Sequence, residues 1–307
     1  MKRSLKDYIV IGAKGVAMGA ADVVPGVSGG TIAFISGIYE ELLMSISNIN
    51  LNLFKTLRNE GVKKAWTLLN GNFLISLFLG VFLSVVSLAK VITWLLNNHS
   101  ILLWSFFFGL VLASIIYVGK QVRQWSIVTI FLFIFGSCLA YFITMLTPIA
   151  SENPSLIFMF FAGATAICAM ILPGISGSFI LVLLGAYKPV LNAVNKRDIP
   201  IILTILMGAF VGILIFSKLL KWLFENYKDY TLAILTGFIL GSLNKIWPWK
   251  KVLTYRVNSH GEKVPFNELS VSPFNFGEDP QLFYAIILSI LGFSLIILLE
   301  KIARDKI

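Results

Sequence analysis

Gly19-Ala20-Ala21-Asp22-Val23-Val24-Pro25-Gly26-Val27-Ser28-Gly29-Gly30-Thr31 returns later in the chain as Gly163-Ala164-Thr165-Ala166-Ile167-Cys168-Ala169-Met170-Ile171-Leu172-Pro173-Gly174-Ile175-Ser176-Gly177-Ser178. The Pro-Gly-x-Ser-Gly core is shared, and at the same separation Ile32 answers to Ile180, Gly37 to Gly185 and Tyr39 to Tyr187. That makes seven identities over the seventeen positions from Pro25 to Glu41, far more than shared apolar composition supplies. A second block matches at another constant separation: Gly80 with Gly208, Phe82 with Phe210, Lys90 with Lys218, Trp94 with Trp222, Leu95 with Leu223 and Asn98 with Asn226. It runs on through Gly109, Leu112 and Ser114 to Gly237, Leu240 and Ser242, and a weaker match pairs Gly136 with Gly292. The separation falls by twenty residues between the blocks, so the first half holds an insertion around 48–70.

Around these motifs the chain is apolar. Hydrophobic residues make up 57% of it and charged residues only 13%, against about 25% charged in a soluble domain. Repeated apolar stretches of about 20 residues have the length that spans a hydrocarbon layer as helix. The reading is an all-α polytopic membrane protein, one transmembrane domain over 1–307. A first repeat covers 11–147 and a second 155–301, each one broken helical segment followed by three spans. Spans are expected near Phe73–Leu96, Ile101–Val118, Ile127–Leu146, Ile201–Leu223, Tyr230–Ile246 and Leu282–Glu300. The insertion alternates Leu53, Phe54, Leu57 and Trp66 with Lys55, Arg58, Lys63 and Lys64, which suits an interfacial amphipathic helix. The stretch 247–280 holds four of the ten prolines and reads as an ordered extramembrane loop without an assigned role.

The net charge of +10 does not imply nucleic acid here, since lysines and arginines of cytoplasmic loops meet anionic headgroups. Ile11–Ile46 as straight helix would reach about 54 Å, too long for a core of about 30 Å. Pro25-Gly26 permits a sharp turn near its middle. If both broken segments are re-entrant and the N-terminus is cytoplasmic, sixteen of the twenty-five basic residues lie inside and eight outside, with Lys90 in a span. Three crossings per half then place the second repeat upside down on the first, the inverted plan of many secondary transporters. The basic N-terminus lacks the apolar core of a cleavable signal, so the first segment is expected to be retained.

Unpaired backbone at membrane depth survives only against protein or a water-filled cavity. A half-helix beginning after each break would turn N–H groups and the positive end of its dipole toward the site. Ser28, Thr31, Ser176 and Ser178 add hydroxyls, and the glycines admit an anion close to the backbone, so the pair of breaks suits phosphate or carboxylate. Asp22 precedes the first break where the second half has Met170; it caps the next half-helix, pairs with Lys14, or carries a coupling proton. Gly12, Gly15 and Gly19 have the spacing of helix packing. Glu40 and Glu41 read as solvated, and Lys90 and Lys218 as snorkelling or phosphate-binding. Cys138 and Cys168 lie in apolar segments without metal-ligand spacing, and no metal or cofactor is implied. His99 and His260 stand alone and no nucleotide-binding loop is present, so enzyme readings lack support.

The runs GAADVVPGVSGGTIAFISGIYEEL and GATAICAMILPGISGSFILVLLGAY resemble the polyprenyl-phosphate transporter family of the PopT type. The resemblance covers nearly the whole chain. It implies a bacterial plasma-membrane flippase that returns undecaprenyl phosphate to the inner leaflet after cell-wall polymers are built. It marks Asp22, Pro25, Gly26, Ser28, Gly29, Gly30 and Thr31, with Pro173, Gly174, Ser176, Gly177 and Ser178, as substrate-binding. A secondary transporter of a small water-soluble anion would use the same donors in a closed pocket, whereas a lipid substrate needs a groove open sideways. A scaffold would not need the serines.

Overall fold

The structure, a computed structural model, describes residues 3–24, 27–146, 155–257 and 263–304. Pro25 and Gly26 of the first motif and His260 therefore lie outside the described residues. The first broken segment is α1 (Leu5–Val23), α2 (Gly29–Ile35) and α3 (Tyr39–Ser47). The second is α9 (Leu156–Ile171), α10 (Gly177–Leu183) and α11 (Tyr187–Lys196), with a bend of 103° between α10 and α11. The matched glycines explain that bend. Gly37 and Gly185 have φ of +72° and +71°, a left-handed step that glycine takes without a Cβ penalty. Directly after each, the amides of Ile38 and Ala186 reach back to the carbonyls of Ala33 and Leu181, closing α2 and α10 alike.

Long helices follow as the apolar runs require: α6 (Gly71–Asn98), α7 (Ser100–Gly119), α8 (Ile127–Met145), α12 (Ile199–Asn226), α13 (Lys228–Ser242) and α14 (Leu282–Arg304). Among the described residues, four helices are long and apolar enough to cross a membrane, all or part of α6, α7, α8 and α12, or five if α10 and α11 are one broken span. α9 and Leu282–Leu298 of α14 are shorter apolar helices. α13 is largely buried from Thr231 onward, and a 3-10 turn over Leu243–Ile246 follows its last residue. The outward sides of α6, α8, α12 and α14 carry exposed Phe78, Phe82, Phe131, Phe142, Leu206, Phe210, Phe283 and Ile290, the apolar surface that a bilayer covers.

Lipid supplies no hydrophobic drive between helices, so close packing must hold them together. It does so at the matched glycines. A Cβ on Gly15 would stand 2.1 Å from the carbonyl oxygen of Leu77, and one on Gly163 2.3 Å from that of Ile205. Gly80 meets Gly12 at 2.1 Å and Gly208 meets Phe160 at 1.9 Å, so α1 lies on α6 as α9 lies on α12. The remaining pairs join one half to the other: Gly109 and Gly292 close α7 against α14, while Gly237 and Gly136 close α13 against α8. All four pairs run parallel.

Two ends of the bundle follow from contacts. At one end Arg3 before α1 pairs with Glu41 of α3 at 2.5 Å, Asn70 before α6 donates to Glu41 at 2.7 Å, and Lys228 at the start of α13 pairs with Glu40 at 2.6 Å. These acids are thus ion-paired, not simply solvated. Lys14 Nζ donates to the Ser36 carbonyl at 2.6 Å, so the chain after the first break doubles back along α1. At the other end Ile101 of α7 and Ala285 of α14 pack with Trp249.

Two sequence expectations need correction. The insertion is two short helices, α4 (Leu51–Glu60) and α5 (Val62–Leu68), because Gly61 between them has φ +85°. Leu51, Phe54, Val62 and Trp66 remain exposed, as an interfacial segment requires. The 247–280 stretch, expected as a loop, carries an antiparallel hairpin of β1 (Lys250–Val257) and β2 (Lys263–Ser270), with a register irregularity near Val252–Tyr255. Its prolines hid the Val252–Val257 strand pattern.

Candidate substrate site at the two helix breaks

The two breaks touch. Ser28 Oγ lies 3.2 Å from the carbonyl oxygens of both Met170 and Leu172, and its single proton serves one of them at a time. The amide of Gly174 donates to Thr31 Oγ1 at 2.9 Å. Gly30 lets the chains approach this closely, since a Cβ there would stand 2.5 Å from the Ile171 carbonyl oxygen. Gly174 has φ +90°, and a Cβ on it would stand 2.8 Å from the carbonyl oxygen of Phe238 in α13. Residues more than 140 positions apart in the chain are thus fixed to one another.

The two half-helix starts differ. In the first, Asp22 Oδ1 accepts the Gly29 amide at 2.7 Å, Ser28 Oγ accepts that of Gly30 at 3.1 Å, and the Thr31 amide reaches the Ser28 carbonyl at 2.9 Å. The donors expected to face a ligand are taken up within the turn. Of the three readings of Asp22, the geometry carries capping of α2, while Lys14 turns to Ser36. Ser28 and Thr31 are each 1% exposed, so the start of α2 is buried. In the second, Met170 stands where Asp22 would and offers no cap. Ser176 and Ser178 bond to each other at 2.9 Å, and no partner for the amides of Gly177, Ser178 and Phe179 occurs among the described residues. Pro173, Gly174, Ser176 and Gly177 are buried, but Ser178 is exposed.

The structure therefore brings Asp22, Ser28, Gly29, Gly30, Thr31, Pro173, Gly174, Ser176, Gly177 and Ser178 into one region. A cavity of about 530 Å³ lies elsewhere, at the Arg3–Glu41 end, lined by Arg123, Ser126, Thr129, Asn226, Lys228 and Asp229 among others. No His/Cys/Asp/Glu group that could hold a metal occurs among the described residues.

Sequence reasoning missed a charged group beside the second break. Lys245 Nζ stands 4.9 Å from the centroid of the Phe179 ring, the residue after Ser178. Lys245 and Lys250 lie 3.7 and 3.6 Å from the same Glu268 Oε2, and Lys250 Nζ is 4.3 Å from the centroid of the Trp104 ring. Burial pushes the Lys250 ammonium down to about 8. The repeat held the clue: at the separation of the second block, Lys245 stands opposite Tyr117, so the base breaks the symmetry just as Asp22 does.

A family described as undecaprenyl phosphate translocase-like matches residues 18–264. The chain belongs to this family. A protein of Vibrio cholerae serotype O1 named polyprenyl-phosphate transporter is 50% identical over 302 residues, 97% of this chain and 98% of that one. A Staphylococcus aureus protein of the same name is 34% identical over 252 residues, 76% of this chain and 84% of that one. No solved structure matches. The resemblance read at the two Pro-Gly motifs is thus a family relation extending over nearly the full length, to proteins named transporters, not enzymes.

Proposed function

We propose that this chain carries undecaprenyl phosphate, or a similar prenyl monophosphate, across the bacterial plasma membrane and returns it for reuse in cell-wall polymer synthesis. The names of its relatives support the substrate. The observation that carries the mechanism is the inequality of the two half-helix starts: that of α2 is buried and capped from within, while that of α10 leaves Ser178 exposed. A transporter halted with one side shut has this appearance. The substrate-binding residues are Asp22, Pro25, Gly26, Ser28, Gly29, Gly30, Thr31, Pro173, Gly174, Ser176, Gly177 and Ser178. The phosphate takes hydroxyl and amide donors near the breaks, and the prenyl tail stays in lipid.

The two halves are inverted repeats with re-entrant first segments, and the N-terminus is cytoplasmic. The parallel pairs favour inversion: α1 begins at the Arg3–Glu41 end, whereas α9 runs with α12, which ends where α13 begins at Lys228. The return of the chain along α1, through Lys14 and Ser36, favours re-entrance. The excess of basic residues at the Arg3 end favours the orientation. Asp22 is the one acid at the breaks and the place for a coupling proton: protonation removes the carboxylate that caps Gly29 and loosens α2.

The test is a reconstituted-vesicle assay of undecaprenyl phosphate access from each side, with and without a proton gradient. Wild type should translocate, Ser28→Ala should slow it, and Asp22→Asn should remove the response to the gradient. Translocation of a water-soluble anion instead of the lipid would favour the small-anion reading. Intact lipid transport by both Ser28→Ala and Ser176→Ala would overturn the assignment of the breaks.

A further inference from the structure

We infer that Lys245, poised on Glu268 and Lys250 over Phe179, is the receiving site for the phosphate of an incoming prenyl monophosphate at the mouth of the second break. The inference rests on the transport reading and deepens it by naming the first cation the headgroup meets.

Lys250 is buried, its side chain 8% exposed, and it donates to the Lys245 carbonyl at 2.7 Å. An ammonium is costly to bury, and a docking interface has no need of one. The hairpin is already held by neutral bonds: Ser270 Oγ to Asn244 Oδ1 at 3.0 Å, Trp247 Nε1 to the Val271 carbonyl at 2.8 Å, and Trp249 Nε1 to the Pro280 carbonyl at 2.9 Å. Two lysines share one carboxylate oxygen, which leaves this triad with a surplus positive charge. Neither ammonium sits at the distance of a strong charge-assisted bond to that oxygen, about 2.8 Å. Glu268 is a loose counter-ion, and a phosphate with more charge and three free oxygens competes with it for Lys245.

The place is right for such an exchange. Lys245 lies in the 3-10 turn that ends α13, three residues after Ser242. Ser242 Oγ is 3.0 Å from where a Cβ of Gly174 would stand, so the turn and the second break rest on the same helix end. The Lys245 side chain is a quarter exposed and lies over the ring that follows exposed Ser178. The phosphate is then handed from Lys245 to the Ser176–Ser178 hydroxyls, while Lys250 retains Glu268.

The experiment measures binding of geranylgeranyl monophosphate to the full chain in nanodiscs, read by quenching of tryptophan fluorescence, with inorganic phosphate and geranylgeraniol as the other two ligands. Lys245→Ala and Lys245→Gln should each weaken binding by about tenfold or more, the share of one charge-assisted contact. Lys245→Arg should keep it near wild type, and Glu268→Gln should bind at least as tightly as wild type. Geranylgeraniol binding should not respond to Lys245. Wild-type binding with both neutral Lys245 variants unchanged refutes the inference and leaves the transport reading standing. Absence of binding by wild type refutes the transport reading itself. Weaker binding by Glu268→Gln overturns the exchange, and full competition by inorganic phosphate overturns the assignment to a lipid headgroup.

Discussion

Replacing Thr31 by valine removes one hydroxyl and preserves the branched shape, which isolates the bond that ties the two breaks together. Thr31 Oγ1 accepts the Gly174 amide at 2.9 Å, and Thr31 is 1% exposed. Without the acceptor, the amide keeps its burial and loses its partner, at a cost of about 1–3 kcal/mol. That cost falls only on the arrangement in which the breaks touch. The equilibrium should therefore move toward a separated arrangement by about 5- to 150-fold. The assay is hydrogen exchange by mass spectrometry on the protein in nanodiscs, read in peptides covering 27–36 and 172–176. Both should exchange faster in Thr31→Val, while peptides of α7 and α13 stay as in wild type. Serine at position 31 retains the acceptor and should rescue much of the protection. Unchanged exchange in both segments would show that this bond does not hold the breaks together, and would refute the reasoning.

Gly208→Ala should be poorly tolerated, because the new Cβ would stand 1.9 Å from the Phe160 carbonyl oxygen and α9 would have to move off α12; the yield of folded protein after detergent extraction checks this. Gly80→Ala faces the Gly12 carbonyl oxygen at 2.1 Å and should fail similarly, whereas Gly277→Ala meets nothing within 4 Å and should suffer only from its φ of +89°. The hairpin should dock more firmly as pH rises from about 8 toward the ordinary lysine range, because buried Lys250 gives up its proton there while the undocked chain keeps it; the fluorescence of Trp104, Trp247 and Trp249 during thermal unfolding reports the trend, and a fall over that range would contradict it. Lys228→Met removes the ion pair to Glu40, but both side chains are nearly half exposed, so the change in stability should stay below about 1 kcal/mol in denaturant titrations.

What the residues disclosed depended on whether their signal was periodic. Long apolar runs mark α6, α7, α8 and α12, because helix in lipid needs length and little else. The matched glycines mark contact points, because a missing Cβ is the same requirement wherever two helices meet closely; even the weak pair Gly136 and Gly292 is used in this way. The residues of the two breaks stand out in the sequence, but how they are wired to one another does not. Nothing in the first motif tells that Ser28 and Thr31 spend their hydroxyls on the second break, a contact across more than 140 positions. Nor does Asp22 announce itself as a cap instead of a free acid, since the Gly29 amide reaches it only once α2 has turned back. Lys245, Lys250 and Glu268 were invisible as a group, because a hairpin in a charge-mixed, proline-bearing loop brings them together.

The pairing of α7 with α14 and α8 with α13 bears on how this protein is born. Ser289 donates to the carbonyl of Ser105 across 184 positions, and Gly109 meets the backbone beside it. When the ribosome has finished α8, the grooves at Gly109 and Gly136 face only lipid, and they stay vacant until the last helices emerge. In this packing each half draws on the other for the partners of two of its helices. Two genes, cut between 146 and 155 and expressed in one cell, should yield fragments that persist together and are degraded when made separately.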